Sequence, residues 1–389
     1  MDINQVDCIL DLSLTNLRLS IIDKNLSKEI FNQEKNIPFF GNKQDYFSEN
    51  SNKVLDELIK TSEKNIGLHI TNLNILTDNK NILTIDISVK KNFEGKIVSQ
   101  KDVEFLELDA KKIILENYKN YNIIHSITQK FTLDDNIYDN FPIQNPKSLK
   151  FLGLSIKFIC LPKIIYQQIL NLLNSNHLEL NSIGCSSYIK SKSYNNQFSN
   201  YYFKLFLDIG YDKTILNIYE DEKLRNFFVI KIGGLSITRD ISKVMEIELS
   251  KAEKIKKNMH KSEITFSDKS DKSNLEHKDL IKKIIYARIE EILNLSFKNI
   301  DFFEDIKNNK SILIFTGQGS KILENNSIYL NELFDSFDEI HYLEELSSKI
   351  CMAGHKFLKI NLQKQLQKPL KHTQNKGFFE KIFKLFSKF

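Results

Sequence analysis

Two acidic residues offer chemistry first: Asp11 in LDLSLTNLRLSII and Asp208 in FLDIGYDKTILNIY. Each stands near the end of an apolar run that a short polar turn joins to a second apolar run. A β-hairpin whose turn presents backbone N–H groups holds phosphates where glycine permits close approach and unusual φ. Two such hairpins facing across a cleft clamp a nucleotide, with Asp11 and Asp208 holding Mg²⁺ through water. A third element, Thr316-Gly317-Gln318-Gly319-Ser320, breaks a buried strand and lets backbone approach an adenosine. A lone Gly-x-Gly or an Asp at a strand end is more often an ordinary turn, so the order of the three along the chain carries the signal.

The elements that must position these residues follow from apolar periodicity. The first hairpin turns at 13–16, a third strand is expected at 30–39, and helical spacing covers 44–63 with a returning strand at 66–70. Alternation at 82–89 predicts a strand that 92–95 turns back. Ser99 with Asp102 starts a helix to about residue 117. Strands at 122–128, 132–138 and 152–160 complete a small α+β unit, and Pro162 opens a helix to about 174. Residues 191–200 read as a polar connection. A meander at 202–208, 214–219 and 224–230 ends at Gly233-Gly234, with helices expected after it, at 250–257, 278–299 and 344–358. Residues 261–277 are charged and read as a surface loop. The two strand-turn-strand units lie about 200 residues apart, which predicts a duplicated α/β fold.

With 389 residues, 41% hydrophobic and 27% charged, the chain is long enough for two to four folded units and too apolar for wholesale disorder. Its four cysteines (Cys8, Cys160, Cys185, Cys351) are scattered, with neither zinc-ligand spacing nor a disulfide framework. Acids precede the first apolar run, and no stretch approaches the ~20 apolar residues of a membrane span, so a reducing, cytosolic, soluble protein is expected. The net +5 is uneven: nine lysines against Glu380 give residues 356–389 a charge of +8, leaving −3 on the body. A nucleic-acid protein usually spreads basic charge over a folded face, so no nucleic-acid partner is expected. The charge points to a membrane surface or an acidic partner.

The end of the tail sharpens that choice. At about 100° per residue, Phe378, Phe379, Ile382, Phe383, Leu385, Phe386 and Phe389 fall on one face. Lys381, Lys384 and Lys388 fall on the other. Such a helix places its phenylalanines in an anionic membrane interface while its lysines meet headgroups, at about 1 kcal/mol per Lys. The polar, acid-free stretch 361–375, with Pro369, suits a linker and argues against docking on the core.

In this order the motifs resemble the actin, Hsp70 and sugar-kinase superfamily, and within it the actin-like division family FtsA, over nearly the whole chain. LDLSLTNLRLSII is similar to the first phosphate loop, placing Ser13 and Thr15 at the nucleotide. FLDIGYDKTILNIY is similar to the second, keeping Asp208, Gly210 and Thr214. IIHSITQKFTLDDN resembles a characteristic segment in which Thr128 replaces the usual proline. VIKIGGLSITRDI with SKAEKIKK resembles the segments that bring Gly233, Gly234, Glu253 and Lys256 to the nucleotide, and IFTGQGSKI the adenosine loop of Gly317, Gly319 and Ser320. IIYARIEEI resembles a motif of the subdomain that contacts FtsZ, which makes Arg288 the partner-binding candidate. The departures are Ser13 for glycine, Asn16 for a basic residue, and Tyr211 and Asp212 for glycines. A side chain at φ > 0 is strained and a carboxylate repels phosphate. ATP with Mg is the implied cofactor, weakened by Ser13, Tyr211 and Asp212 unless Lys213 compensates. No catalytic residue is singled out, and His125 and His177 read as structural or exposed rather than catalytic.

The resemblance implies a duplicated actin-like, ribonuclease-H-like α/β fold. Its first domain would comprise 1–77, 158–200 and 344–360, with a small α+β subdomain inserted at 78–157. The second would comprise 201–232 and 311–343, with a helical partner-binding subdomain at 233–310. A linker at 361–375 and a membrane-targeting amphipathic helix at 376–389 follow. The implied role is to tether FtsZ filaments to the cytoplasmic side of the bacterial membrane at the division site. Self-association and contacts with later division proteins belong to the same reading. Two alternatives stay open: a PilM-like assembly module for a membrane machine, and an ATP-dependent sugar-kinase-like enzyme.

Overall fold

Each acidic hairpin grows into a sheet, and the two sheets share one topology. In the computed structural model, which describes residues 5–38, 48–142, 148–258, 272–298, 300–324, 334–344 and 347–366, the first sheet has the order β3-β2-β1-β4-β9. Its strands are β1 (Val6–Leu12), β2 (Asn16–Asp23), β3 (Lys28–Asn36), β4 (Asn72–Thr77) and β9 (Glu179–Cys185). The second has the order β12-β11-β10-β13-β14, built from β10 (Phe203–Ile209), β11 (Thr214–Glu220), β12 (Lys223–Ile230), β13 (Ser311–Thr316) and β14 (Glu339–Tyr342). In both, three antiparallel strands continue into two parallel ones. The internal repeat read from the sequence is thus a repeat of strand order. Asp11 and Asp208 occupy the same place in it, one residue before the end of the central strand of each sheet.

A third, antiparallel sheet is separate, with the order β5-β8-β6-β7. It comprises β5 (Leu83–Ile97), β6 (Tyr121–Leu133), β7 (Asn136–Tyr138) and β8 (Ser148–Pro162), and α2 (Gln100–Asn117) packs Val103, Leu106, Ala110 and Ile114 onto it. The predicted start of α2 holds: Ser99 and Asp102 form a capping box.

The first core gathers α1 (Glu49–Ile66), α3 (Lys163–Ser175), α4 (Ser186–Asn195) and α10 (Ser347–Leu366) around the first sheet. It continues onto one face of the second sheet through Phe206, Ile215 and Tyr219. The other face of that sheet is covered by α5 (Gly234–Val244), α6 (Leu249–Asn258), α7 (Lys272–Phe297) and α8 (Phe303–Asn308), while the short α9 (Lys321–Glu324) follows the loop after β13. No helix among the described residues is long and apolar enough to cross a membrane. All four cysteines are free and buried, and burial pushes Cys8, Cys160 and Cys351 up to about 12.

Several expected boundaries are corrected. The apparent turn at 92–95 is a bulge inside one long strand: Glu94 and Gly95 take positive φ, and the pairing with β8 shifts between Asn92 and Lys96. The expected strand at 122–128 runs on to Leu133 as β6, with a register shift between Thr128 and Lys130, and the expected strand at 132–138 is instead the hairpin from β6 into β7. Residues 66–70 close α1 at Gly67, a left-handed C-cap, and the strand begins only at Asn72. The polar stretch taken as a connection overlaps α4, and β9 before it was not expected. Helix α10 runs on to Leu366, into the expected linker. The charged stretch 261–277 falls partly outside the described residues, and α7 begins at Lys272.

His125 ties the inserted sheet to the body. It sits 4.9 Å from the Tyr188 ring of α4 and 5.3 Å from the Phe357 ring of α10, centroid to centroid. Its Nε2 accepts the Cys185 amide at 2.7 Å, so the proton resides on Nδ1, which has no partner. Burial alone holds this imidazole down at about 3, against 6.5 for the free side chain. A folded-state value below the unfolded one means that the neutral ring's contribution is whole above pH 6.5 and drains away as pH falls towards 3. Denaturant titrations between pH 7 and 4 should therefore show wild type losing up to about 1.4 kcal/mol per pH unit more than His125→Leu. Parallel pH profiles of the two proteins would contradict the assignment.

Candidate functional site

The two hairpin turns, the start of α5, the end of α6 and the loop after β13 converge on a cavity of about 620 Å³, a size that suits a small-molecule ligand. Of the residues singled out from the sequence, Asp11, Ser13, Thr15, Asp208, Gly210, Gly234, Glu253, Lys256, Gly317 and Gly319 line it. Thr214, Gly233 and Ser320 instead support the neighbouring backbone. The Thr214 hydroxyl donates to the Ile232 carbonyl at 2.8 Å, and Ser320 Oγ to the Gly317 carbonyl at 2.7 Å.

The glycines have reasons within the chain. A Cβ on Gly233 would lie 2.6 Å from the Lys213 nitrogen and 2.7 Å from the Gly210 oxygen, so the start of α5 packs directly on the second turn. Gly317, at φ +88°, would place a Cβ 2.4 Å from Asp208 Oδ1. The loop after β13 therefore rests on the end of β10, and only glycine permits the approach.

In the first turn the residue standing in for glycine satisfies the turn itself. Ser13 Oγ accepts from the amides of Thr15 (3.3 Å) and Asn16 (3.1 Å) and is placed to donate to the Asn16 carbonyl at 3.0 Å. Two amides that an anion would recruit already face a hydroxyl. The strain expected from the substituted glycines is absent. Among the described residues, the non-glycine positions with positive φ are Ser27, Glu94, Asp134, His177, Asp221 and Glu246, not Ser13, Tyr211 or Asp212. The charge of Asp212 is met by Lys213 Nζ at 3.4 Å and Lys80 Nζ at 3.9 Å.

The other wall is a buried network. Lys256 Nζ donates to Glu253 (2.6 Å), the Thr238 hydroxyl (2.8 Å) and the Gly234 carbonyl (2.9 Å), and the Thr238 hydroxyl also donates to Glu253. Burial lowers the Lys256 ammonium against the pull of Glu253. Burial would raise the Glu253 carboxyl, but the charge of Lys256 and its hydrogen bonds win and hold it below the usual range. This network fixes α5 to α6 beside the cavity, with polar groups placed for a hydroxylated ligand.

Both acids expected at a metal are already engaged. Arg18 is the direct cross-strand partner of Asp11. Its Nη1 lies 3.0 Å from Asp11 Oδ2 and its Nε 3.1 Å from Glu34 Oε2, while the Ser186 hydroxyl donates to Asp11 Oδ1 at 2.9 Å. Asp208 Oδ2 lies 2.5 Å from Lys190 Nζ, the lysine buried and the acid half-buried. Among the described residues no group of three or more His, Cys, Asp or Glu is placed to hold a metal ion. Asp11 and Asp208 thus meet cations of the chain itself, Arg18 and Lys190, where the sequence expectation placed Mg²⁺. Arg18, Ser186 and Lys190 were not anticipated. Arg18 was within reach, because a hairpin turning at 13–16 sets it opposite Asp11. Ser186 and Lys190, four residues apart on one face of α4, fall in a stretch before 191–200 for which no element was expected.

Arg288 of α7 lies away from the cavity residues and turns inward to α5. Its Nη2 and Nε reach Asp240 Oδ2 at 2.7 and 2.8 Å, and its Nη1 pairs with Glu291. The tail residues Phe378, Phe379, Lys381, Ile382, Phe383, Lys384, Leu385, Phe386, Lys388 and Phe389 lie outside the described residues.

The chain's likeness to known proteins accords with this geometry. The family model "Cell division protein FtsA" matches residues 205–373, from β10 to beyond α10. The FtsA cell-division protein of Buchnera aphidicola subsp. Baizongia pistaciae is 25% identical over 283 residues, covering 69% of this chain and 64% of that one. The match thus spans just under two thirds of the curated relative's length. A solved chain of a PilM–PilN type IV pilus biogenesis complex superposes with a TM-score of 0.60 at 14% identity, covering 92% of this chain and 98% of its own. The resemblance to FtsA holds, the fold is the actin-like α/β fold, and the structural likeness at such low identity speaks to the fold alone.

Breaking the Asp11–Arg18 pair should be costly. Arg18→Met leaves Asp11 and Glu34 without their shared cation and should lower unfolding free energy by about 3–5 kcal/mol. Adding Asp11→Asn should recover part of that loss. A double variant no more stable than Arg18→Met would show that the pair is not what holds this corner.

Proposed function

We propose that this FtsA-like chain is an actin-like adaptor of cell division that links FtsZ filaments to the cytoplasmic face of the membrane at the division site. The observation that carries the reading is the FtsA match over residues 205–373, joined to a duplicated sheet architecture that folds the same motifs around one cleft. The amphipathic sequence at 376–389 supports the membrane half: on an anionic surface its phenylalanines enter the interface and its lysines meet headgroups. Many weak tails along one filament add avidity, since each later attachment is effectively intramolecular. Self-association of the body and contacts with later division proteins belong to the same proposal.

Within it, the chain divides into two actin-like domains, the inserted sheet at 78–157 and a helical subdomain at 233–310 that meets FtsZ. With Arg288 committed to Asp240, its role there is to hold the contact surface in shape. An adenine nucleotide occupies the cleft, its phosphates between the two hairpins and its ribose towards Glu253 and Lys256. It acts as a structural ligand that closes the cleft. The crowded first turn makes this binding modest, so a non-hydrolysable ATP analogue should raise the Tm only slightly, and a shift of many degrees would show the turn to be no obstacle.

The tether is tested by co-pelleting purified FtsZ filaments with anionic liposomes, using the full chain and a version ending at Asn375. Only the full chain should bring FtsZ down, and Phe383→Glu should release it from the membrane without unfolding it. Lipid binding with no FtsZ would favour the pilus-type assembly module. Equal pelleting by both versions would remove the tail from the mechanism.

A further inference from the structure

We propose that Lys190 supplies from within the chain the positive charge that a divalent metal would bring, so that the cleft takes a polyphosphate without Mg²⁺. The inference rests on reading the cleft as a nucleotide site and deepens it by naming how its acids are neutralised. A carboxylate that holds a metal, directly or through the metal's water, must turn lone pairs towards it. Here both Asp11 oxygens and one Asp208 oxygen face donors. Asp11 receives Arg18 and the Ser186 hydroxyl, and Asp208 receives the Lys190 ammonium at 2.5 Å. A dication entering between them is repelled by two fixed cations, Arg18 and Lys190.

Lys190 is held where it stands. It is buried on a helix whose next turn is fastened to the second sheet: Ser191 Oγ and the Tyr219 hydroxyl are 3.0 Å apart, and Lys192 Nζ donates to the Glu222 carbonyl at 3.1 Å. On the same face, Ser186 anchors the helix to Asp11. The ammonium is therefore a fixed component of the cleft floor. An incoming polyphosphate would find positive charge in place, with Lys213 and Lys256 also on the lining.

The test uses the full chain, a fluorescent ATP analogue and Mn²⁺ as a paramagnetic reporter of metal binding. Wild-type affinity for the analogue should be the same in excess EDTA as in Mg²⁺, and Mn²⁺ alone should not bind. In Lys190→Met, analogue affinity in EDTA should fall by about tenfold or more. Mg²⁺ should restore it, and Mn²⁺ should now bind, because Asp208 has lost its cation. Loss of wild-type nucleotide binding in EDTA would overturn the proposal, as would Mn²⁺ uptake by wild type or none by a folded Lys190→Met. The wild-type arms stand even where the variant fails to fold. Should wild type bind no analogue under either condition, the nucleotide reading falls, and the Mn²⁺ contrast between the two proteins still decides whether Lys190 occupies the metal's place.

Discussion

One face of one short helix holds the two halves of the molecule in register. Ser186 reaches Asp11 at the end of β1, and Lys190, one turn on, reaches Asp208 at the end of β10. Asp11 is buried and Asp208 half-buried against the buried Lys190, and a largely enclosed charge without its partner is costly, so the sheets cannot separate at this point without breaking these pairs. The cavity, the two turns and the loop after β13 are arranged around that clamp.

The cleft keeps the shape of a nucleotide site while its chemistry has moved. Ser13 faces the amides of its own turn, Asp212 is matched by Lys213 and Lys80, and the two acids are matched by Arg18 and Lys190. Each replacement is locally balanced, which is why no backbone strain accompanies it. What remains open to a ligand is the wall made by Glu253, Lys256 and Gly234 together with the glycine loop on Asp208.

The sequence made the repeat legible because apolar runs with an acid near their end survive wherever a central strand must be buried on both faces. The start of α2 and the meander β10–β12 were legible for similar reasons: a capping box and short apolar runs broken by turns are local signals. What stayed hidden were elements whose polar residues are satisfied by partners far along the chain. Helix α4 reads SSYIKSKSYN, yet Ser186, Lys190 and Ser191 are buried against Asp11, Asp208 and Tyr219. β9 is an edge strand with little apolar patterning. The 92–95 segment carries a true turn signal that longer-range pairing with β8 absorbs as a bulge. Among the site residues, acids and glycines could be placed from order alone, whereas their cationic partners required knowing which strand and helix face each acid.

Helix α10 meets the body through contacts of unequal stiffness. Gly354 lets it press on Leu76, His355 Nδ1 lies 2.8 Å from Asp7 Oδ2, and Phe357 stands edge-on to Tyr188, 5.5 Å between centroids. Tyr188 lies between Ser186 and Lys190 on α4. Through Phe357 and Tyr188, α10 thus touches the helix that grips both acids. It also rests on the first sheet through Gly354 on Leu76 and His355 on Asp7, so α10 joins α4 and that sheet at once.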